Sequence, residues 1–219
     1  MFEAGFYNRD CLDAMREFPN KFFQIACVDP PYGLGASVVN SSGRFKRYEN
    51  KNGNWDMNIP TQEYFDELFR ISENQIIWGG NYFPLKPTRC YLIWDKMQPQ
   101  GISFASSELA WTSFDSVVKT FYHRTQGQEN RFHPTAKPTE LYEWILKNYA
   151  KRGDKILDTH VGSASSLIAC HRMGFEYWGM ELDADYFKAA TERLEREKAT
   201  TPLFEPQEIY KQESLTFDT

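Results

Sequence analysis

The sequence predicts an α/β fold built on a doubly wound, mostly parallel sheet, and three patterns support this prediction. Short apolar runs typical of buried strands alternate with amphipathic segments typical of helices. Glycine, proline and asparagine cluster where the runs end. Acidic residues close two of the predicted strands, at the sheet edge where such folds bind ligands.

The predicted helices begin at polar residues whose side chains can accept hydrogen bonds from unpaired backbone N–H groups. Four of these capping residues are Asp10, Thr61, Thr139 and Asp183. A fifth helix is predicted over 165–173, with Gly174 as its C-cap. The predicted strands are the apolar runs 23–28, 76–78, 91–94, 109–111, 117–121, 155–157 and 177–180.

Length and composition fit one globular α/β domain with insertions, because 41% of the 219 residues are hydrophobic and 25% are charged. No apolar run approaches the ~20 residues that a membrane helix needs, and no secretion signal is visible. The cysteines are far apart and the histidines form no ligand cluster, so we expect neither disulfides nor a metal. Unpaired thiols indicate a reducing compartment, which we expect to be the cytoplasm.

The charge distribution leaves a nucleic-acid partner open. The net charge of −5 argues weakly against one, but acidic residues are concentrated after Glu181 and the segment 44–51 is basic. Arg44, Lys46 and Arg47 are therefore candidate contacts for phosphates. A solvated loop would have the same composition, so both interpretations stay open.

Residues 157–183, LDTHVGSASSLIACHRMGFEYWGMELD, indicate a ligand-binding βαβ unit. One strand ends at Asp158, Gly162 lets the backbone of the following turn approach a ligand, and the next strand ends at Glu181. An acidic residue about 20 positions after the first strand can bind two ribose hydroxyls. The turn lacks the patterns of dinucleotide sites and of Walker sites, which weakens NAD and ATP as ligands.

The sharper signal is Asp29-Pro30-Pro31-Tyr32, directly after the predicted strand 23–28. The amino group of adenine or cytosine is a poor nucleophile, because its lone pair is delocalised into the ring. The Asp29 carboxylate and the Pro30 carbonyl can each accept one N–H hydrogen bond and draw the nitrogen towards tetrahedral geometry. The prolines fix the backbone, and Tyr32 offers a ring on which an extruded base can stack.

In this order, the motifs resemble those of the β-type amino-methyltransferases of DNA. DPPYG lies at 29–33, variable sequence follows to about 130, and HPTAKP, LDTHVGS and GMELD lie at 133–138, 157–163 and 179–183. The resemblance implies a Rossmann-like class I methyltransferase fold with S-adenosylmethionine as cofactor. It also implies one domain over 1–200 and a tail over 201–219. The catalytic half would be 1–33, the variable and target-recognition insertions about 34–60 and 86–132, and the cofactor half 133–200.

The resemblance also assigns roles around the cofactor. Asp10, with the backbone of Cys11 beside it, would bind the adenine amino group, and Glu181 would bind the ribose hydroxyls. Lys137 would meet the cofactor carboxylate. The methionine side would be lined by Asp158 and Gly162, and Ser163 would also bind the cofactor.

The turn departs from the family pattern, Asp-Pro-Phe-x-Gly-Ser-Gly, at two informative positions. His160 replaces the usual Phe, and its ring can still pack flat against the cofactor. Ala164 adds a methyl group where close approach of the backbone is expected. These changes bear on cofactor affinity and not on the fold.

The favoured interpretation is methylation of N6 of adenine in DNA, since Asp at the first tetrad position goes mostly with adenine in the family and Ser mostly with N4 of cytosine. RNA and protein-glutamine amino-methyltransferases share the core, although the glutamine enzymes usually carry Asn at that position. A non-catalytic binding subunit is a further alternative. A cytosine-C5 enzyme is disfavoured, because the cysteine nearest the tetrad, Cys27, lies inside a predicted strand.

The expected partner is DNA, with no membrane. Because the recognition segment is short, sequence specificity is either low or supplied by a homodimer or a partner subunit. Such a chain fits a restriction-modification system or a phage or prophage.

Overall fold

Helices and strands alternate along most of the chain, with a run of consecutive strands in its middle. The computed structural model describes residues 2–33, 58–98, 105–124 and 136–200. The helices are α1 (Cys11–Met15), α2 (Gln62–Ile71), α3 (Thr139–Tyr149), α4 (Ser165–Arg172) and α5 (Ala184–Ala199). The strands are β1 (Gly5–Asn8), β2 (Phe23–Val28), β3 (Ser72–Trp78), β4 (Tyr91–Asp95), β5 (Ser107–Thr112), β6 (Lys119–Tyr122), β7 (Lys155–Asp158) and β8 (Glu176–Glu181).

Within the described residues, the eight strands form one sheet in the order β1-β8-β7-β2-β3-β5-β4-β6. Strand β5 runs antiparallel to its neighbours β3 and β4, and the other neighbouring pairs are parallel. Helix α2 connects β2 to its neighbour β3 in one direction across the sheet, and α4 connects β7 to its neighbour β8 in the opposite direction. The winding therefore reverses between β2 and β7, the place where doubly wound sheets bind ligands. The predicted fold class is confirmed.

Strand β2 lies at the centre of the core and is buried on both faces. Ala26 and Val28 pack in a cluster with residues of α1 and α2. Ile25 and Cys27 face the opposite way, into a cluster with residues of α3 and α4. Helices cover both faces of a parallel sheet, which explains why this strand is a continuous apolar run rather than an alternating one.

Three of the predicted helix caps are confirmed, and one is wrong. The side chains of Asp10, Thr61 and Asp183 accept hydrogen bonds from the first backbone N–H groups of α1, α2 and α5. Helix α3 is capped by Pro138 instead of Thr139, which is its first helical residue. The Thr139 hydroxyl instead accepts a hydrogen bond from Arg193 of α5 at 3.3 Å.

Several strands differ in extent from their predictions. β1 was not predicted, because its four residues are half-buried or exposed and carry a weak apolar pattern. β3 begins at Ser72, four residues before the predicted strand 76–78, and the Ser72 hydroxyl donates to the carbonyl of Leu68 and closes α2. Strands β4, β5 and β6 come from the segment 86–132, so part of this expected insertion belongs to the sheet. The domain division itself stays a prediction.

The parallel strands bring their carboxyl ends to one edge of the sheet. Asn8, at the end of β1, pairs with Glu181 at the end of β8, and Asp158, at the end of β7, pairs with Gly179. Asp29 follows the end of the neighbouring strand β2. Acidic residues that are far apart in sequence therefore meet at this edge. In the part of the chain described, no helix is long and apolar enough to span a bilayer.

Candidate active site

The tetrad lies at the carboxyl end of β2, with Pro30 buried and the other three residues partly exposed. The Tyr32 hydroxyl donates a hydrogen bond to Asp29 Oδ1 at 2.5 Å. The ring of Tyr32 packs on the backbone at Gly79, where an added Cβ would lie 2.2 Å from the ring. It also stacks on Tyr82, with ring centroids 5.2 Å apart. The tetrad is therefore held by the loop after β3, a contact that the sequence analysis did not predict.

Lys137 lies against the tetrad. Its ammonium donates to Asp29 Oδ2 and lies 3.3 Å from the Tyr32 hydroxyl. The side chain is 2% exposed, and its Nζ lies 5.2 Å from the centre of the Trp78 ring. Burial alone would lower the pKa of Lys137, but the carboxylates of Asp29 and Glu108 raise it above its usual value. Lys137 is therefore a buried cation; its expected contact with a cofactor carboxylate stays a prediction.

Glu108, on β5, completes this group and was missed by the sequence analysis. Its Oε2 lies 3.1 Å from Lys137 Nζ, and its Oε1 lies 2.7 Å from Lys96 Nζ. Burial raises the pKa of Glu108, but the two ammonium groups outweigh burial and leave this pKa below its usual value. The signal available in the sequence was a carboxylate inside the otherwise apolar run SELAWT.

A cavity of about 470 Å³ opens at this edge of the sheet. That volume lies within the ~300–1,000 Å³ typical of small-molecule sites. Its walls contain most of the predicted site residues, namely Asp10, Cys11, Asp29, Pro31, Lys137, His160, Gly162, Ser163 and Glu181. The structure thus brings Asp29 and Pro31 of the tetrad to one continuous space with most of the predicted cofactor residues, whereas Pro30 and Tyr32 do not border it.

Glu181 connects the two strand ends that border the cavity. Its Oε2 accepts from the Gly162 N–H at 2.9 Å, and its Oε1 accepts from the Asp183 N–H at 3.0 Å. Burial raises the pKa of Glu181, while these backbone donors lower it. Each carboxylate oxygen can accept a second hydrogen bond, so Glu181 can hold the turn and a hydroxyl-bearing ligand together.

Asp158 does not line the cavity, and its expected place on the methionine side of the cofactor stays a prediction. It is 2% exposed and lies beneath the turn. Its Oδ1 accepts from the His160 N–H at 3.0 Å, and its Oδ2 accepts from the Ser166 hydroxyl. Burial raises the pKa of Asp158 to about 7. Asp158 therefore positions the turn instead of forming its surface.

Arg193 supports the same turn from α5, and it too was missed. Its guanidinium donates to the Ser163 carbonyl at 2.6 Å and to the Ser165 hydroxyl at 2.9 Å. The signal in the sequence was weak, because Arg193 lies in a helix rich in charged residues. Ser163 lines the cavity, as predicted, and Arg193 fixes its backbone.

The two departures from the family turn have different consequences. His160 lines the cavity and stands edge-on to Tyr64, and burial lowers its pKa to about 4, so its ring is neutral at neutral pH. Ala164 has a left-handed backbone with φ of 65°, which explains why glycine is usual there. Its methyl group packs with Val161 and Leu167 and does not border the cavity. Ala164 therefore adds backbone strain without filling the site.

Asp10 and Cys11 also border the cavity. Both helix-capping bonds of Asp10 are made by Oδ1, at 2.8 Å and 3.0 Å, which leaves Oδ2 available to a ligand. Burial raises the pKa of Cys11 to about 12, so its thiol stays protonated. The candidate phosphate contacts Arg44, Lys46 and Arg47 lie outside the described residues, as does the tail 201–219.

Comparison with known proteins adds independent support to this geometry. The family model described as DNA methylase matches residues 93–192. A relative from Streptococcus pneumoniae, the type II methyltransferase M2.DpnII, is 41% identical over 146 residues, which are 67% of this chain and 51% of the relative. The chain is therefore similar to the DNA methylase family over residues 93–192. It spans about half of the length of the pneumococcal relative.

Solved structures of DNA methyltransferases share the fold. The M1.HpyAVI–SAM complex is 18% identical, with a TM-score of 0.56 over 86% of this chain and 98% of that one. PvuII DNA methyltransferase, described as cytosine-N4-specific, is 12% identical, with a TM-score of 0.57 over 95% of this chain and 90% of that one. The resemblance noted from the motifs, to the amino-methyltransferases of DNA, is confirmed. At these identities the likeness bears on the fold alone.

Proposed function

We propose that this chain is an S-adenosylmethionine-dependent amino-methyltransferase of DNA. The observation that supports the proposal most strongly is a cavity that joins two residues of the tetrad to the acidic strand ends. Asp29 and Pro31 border it together with Asp10 and Glu181. A methyltransferase of this kind needs a polarising site for the amine and a nucleoside-binding site in direct contact, and the cavity contains candidates for both.

The residues around the cavity fit S-adenosylmethionine. Glu181 has acceptor sites for ribose hydroxyls, and Asp10 has one for an amino group. Lys137 provides a cation for the carboxylate of the cofactor, and the turn at Gly162 lets the backbone approach the cofactor closely. When bound, the cofactor supplies an electrophilic methyl group carried on a sulfonium centre.

The tetrad can prepare the amine for attack. One N–H of the target would donate to Asp29 and the other to the Pro30 carbonyl, which exposes the nitrogen lone pair. Lys137 and the Tyr32 hydroxyl each hold one oxygen of the Asp29 carboxylate, so the carboxylate cannot turn away. Once the new N–C bond has formed, the nitrogen carries one proton too many, and Asp29 is the base placed to accept it.

The target base must leave the duplex to reach Asp29. Tyr82, which is 45% exposed and stacks on the Tyr32 ring, offers the base an aromatic surface. We propose N6 of adenine as the target because the first tetrad residue is Asp. N4 of cytosine is the second candidate, since its two N–H groups suit the same acceptors and PvuII methyltransferase shares the fold.

Transfer of a tritium-labelled methyl group from S-adenosylmethionine to unmethylated DNA or to RNA tests this proposal. We expect label in DNA. Label in RNA alone would exclude DNA as the substrate. Binding of the cofactor without transfer to either polymer would favour the alternative of a non-catalytic subunit.

Glu181→Ala is expected to weaken cofactor binding by about 1.5–3 kcal/mol, roughly ten- to a hundredfold in Kd. The change removes the acceptor for ligand hydroxyls and releases the Gly162 N–H. Titration calorimetry with S-adenosylmethionine measures the effect. Glu176→Ala, at the exposed start of the same strand, is the matched control and should bind normally. Equal affinity in the wild type and the Glu181 variant would remove Glu181 from the cofactor site.

Gly79→Ala is expected to slow transfer roughly 10- to 100-fold by displacing the Tyr32 ring. The new Cβ would lie 2.2 Å from that ring, on a backbone with φ of +68°. Gly153→Ala is the matched control, because Gly153 also has a positive φ, of +89°, but its added Cβ would meet no atom within 4 Å. Both variants lose about 1–2 kcal/mol of stability through the backbone. Equal transfer rates in the two variants would show that the ring contact does not matter.

A further inference from the structure

We propose that Glu108 is a positioning residue for methyl transfer, which acts by sharing Lys137 with the Asp29 carboxylate. This inference rests on the proposed function, because it concerns how the tetrad acquires its reactivity. Glu108 does not border the cavity, so it has no direct contact with a ligand there. Its influence must pass through the ammonium of Lys137.

The geometry supports such indirect action. Lys137 Nζ contacts Asp29 Oδ2 on one side and lies 3.1 Å from Glu108 Oε2 on the other. Glu108 in turn lies 2.7 Å from Lys96 through its second oxygen. Cations and carboxylates therefore alternate along a row of four side chains: Lys96, Glu108, Lys137 and Asp29.

The backbone holds Glu108 firmly in this row. It lies on β5, between β3 and β4, and pairs in register with Trp94. Lys96 follows the end of β4, and its N–H donates to the Ser106 carbonyl at 2.9 Å. The backbones of both Lys96 and Glu108 are thus fixed by the sheet. The segment 86–132, expected to vary with the target, also contains a residue that contacts the catalytic machinery.

The charge balance explains why the sharing matters. With Glu108 ionised, Lys137 divides its hydrogen bonds between two carboxylates, and Asp29 keeps the capacity to accept an N–H from the target amine. Without the charge of Glu108, Lys96 loses its carboxylate partner, and Asp29 is the one carboxylate left in contact with Lys137. Lys137 would then pair with Asp29 alone, and the carboxylate would be a weaker acceptor for the amine.

The test compares the full chain with Glu108→Gln, which keeps the size and shape of the side chain and removes its charge. We expect the single-turnover rate of methyl transfer to fall about tenfold, less than the hundredfold for a direct hydrogen-bonding partner. Calorimetric affinity for S-adenosylhomocysteine and the KM for DNA should change about threefold or less. Glu108→Asp, which keeps the charge, should recover part of the rate.

Glu143→Gln is the matched control, because Glu143 pairs with Arg172 at 3.0 Å away from the cavity and the substitution is chemically the same. Its transfer rate should equal that of the wild type. The inference is overturned if Glu108→Gln transfers at the wild-type rate, or if its loss of rate is matched by a loss of cofactor affinity or of folded protein in a thermal melt. An inactive wild type would instead refute the proposed function, and this inference with it.

Discussion

Asp29→Ala is expected to slow methyl transfer by about a hundredfold or more, while cofactor affinity stays within a few-fold of the wild type. The substitution removes the charged acceptor for one N–H of the target amine, an interaction that is strongest in the transition state. Loss of one such interaction costs roughly 3 kcal/mol. The carboxylate is also the base placed to take the proton released from the methylated nitrogen. Single-turnover kinetics, with calorimetry for the cofactor, measures both quantities.

The control for this variant is Asp115→Ala. Asp115 forms an exposed ion pair with Arg89, so its loss should leave transfer unchanged. Transfer by Asp29→Ala at a rate near that of the wild type would remove the carboxylate from the mechanism. A loss of cofactor affinity equal to the loss of rate would show that Asp29 acts in cofactor binding and not in methyl transfer.

Lys137→Met is expected to lower the free energy of unfolding by about 3–5 kcal/mol, and to abolish transfer. Methionine fills nearly the same space, so packing changes little. The substitution leaves the half-buried carboxylates of Asp29 and Glu108 without the cation that both contact. Uncompensated buried charge is among the largest single causes of destabilisation. Urea unfolding monitored by circular dichroism measures the change.

A double variant, Lys137→Met with Glu108→Gln, separates charge from packing. Removing one carboxylate together with the lysine should restore part of the stability that Lys137→Met loses. Lys188→Met, at an exposed position of α5, should leave stability unchanged. Equal stability of Lys137→Met and the wild type would show that the buried ion pairs do not support the fold.

The sequence was sufficient to predict the arrangement of the site along the sheet. Asp29, Asp158 and Glu181 each follow an apolar run, and parallel strands necessarily bring such positions to one edge. The helix caps at Asp10 and Asp183 were also recognisable, since a capping side chain bonds to residues next to it in sequence. Local chemistry combined with a regular topology made these features predictable.

Contacts between distant segments were not predictable in the same way. Lys137 lies 108 positions from Asp29 in sequence, and nothing near either residue indicates that they pair. The same holds for Glu108, whose partner Lys137 comes from another segment. Asp158 followed the expected pattern but lies beneath the turn, because its two oxygens bond to His160 and Ser166. The direction of a side chain depends on its packing against distant segments, and a short sequence motif does not determine that packing.

Identification of the modified nucleoside tests the central claim most directly. Unmethylated DNA is incubated with the wild-type protein and S-adenosylmethionine and digested to nucleosides, which are separated by chromatography and identified by mass spectrometry. The tetrad led by Asp29, placed in one cavity with Glu181, predicts N6-methyladenine, absent when Asp29→Ala replaces the wild type. N4-methylcytosine as the sole product would contradict the assignment of adenine, and DNA without any methylated amino group would contradict the proposed function itself.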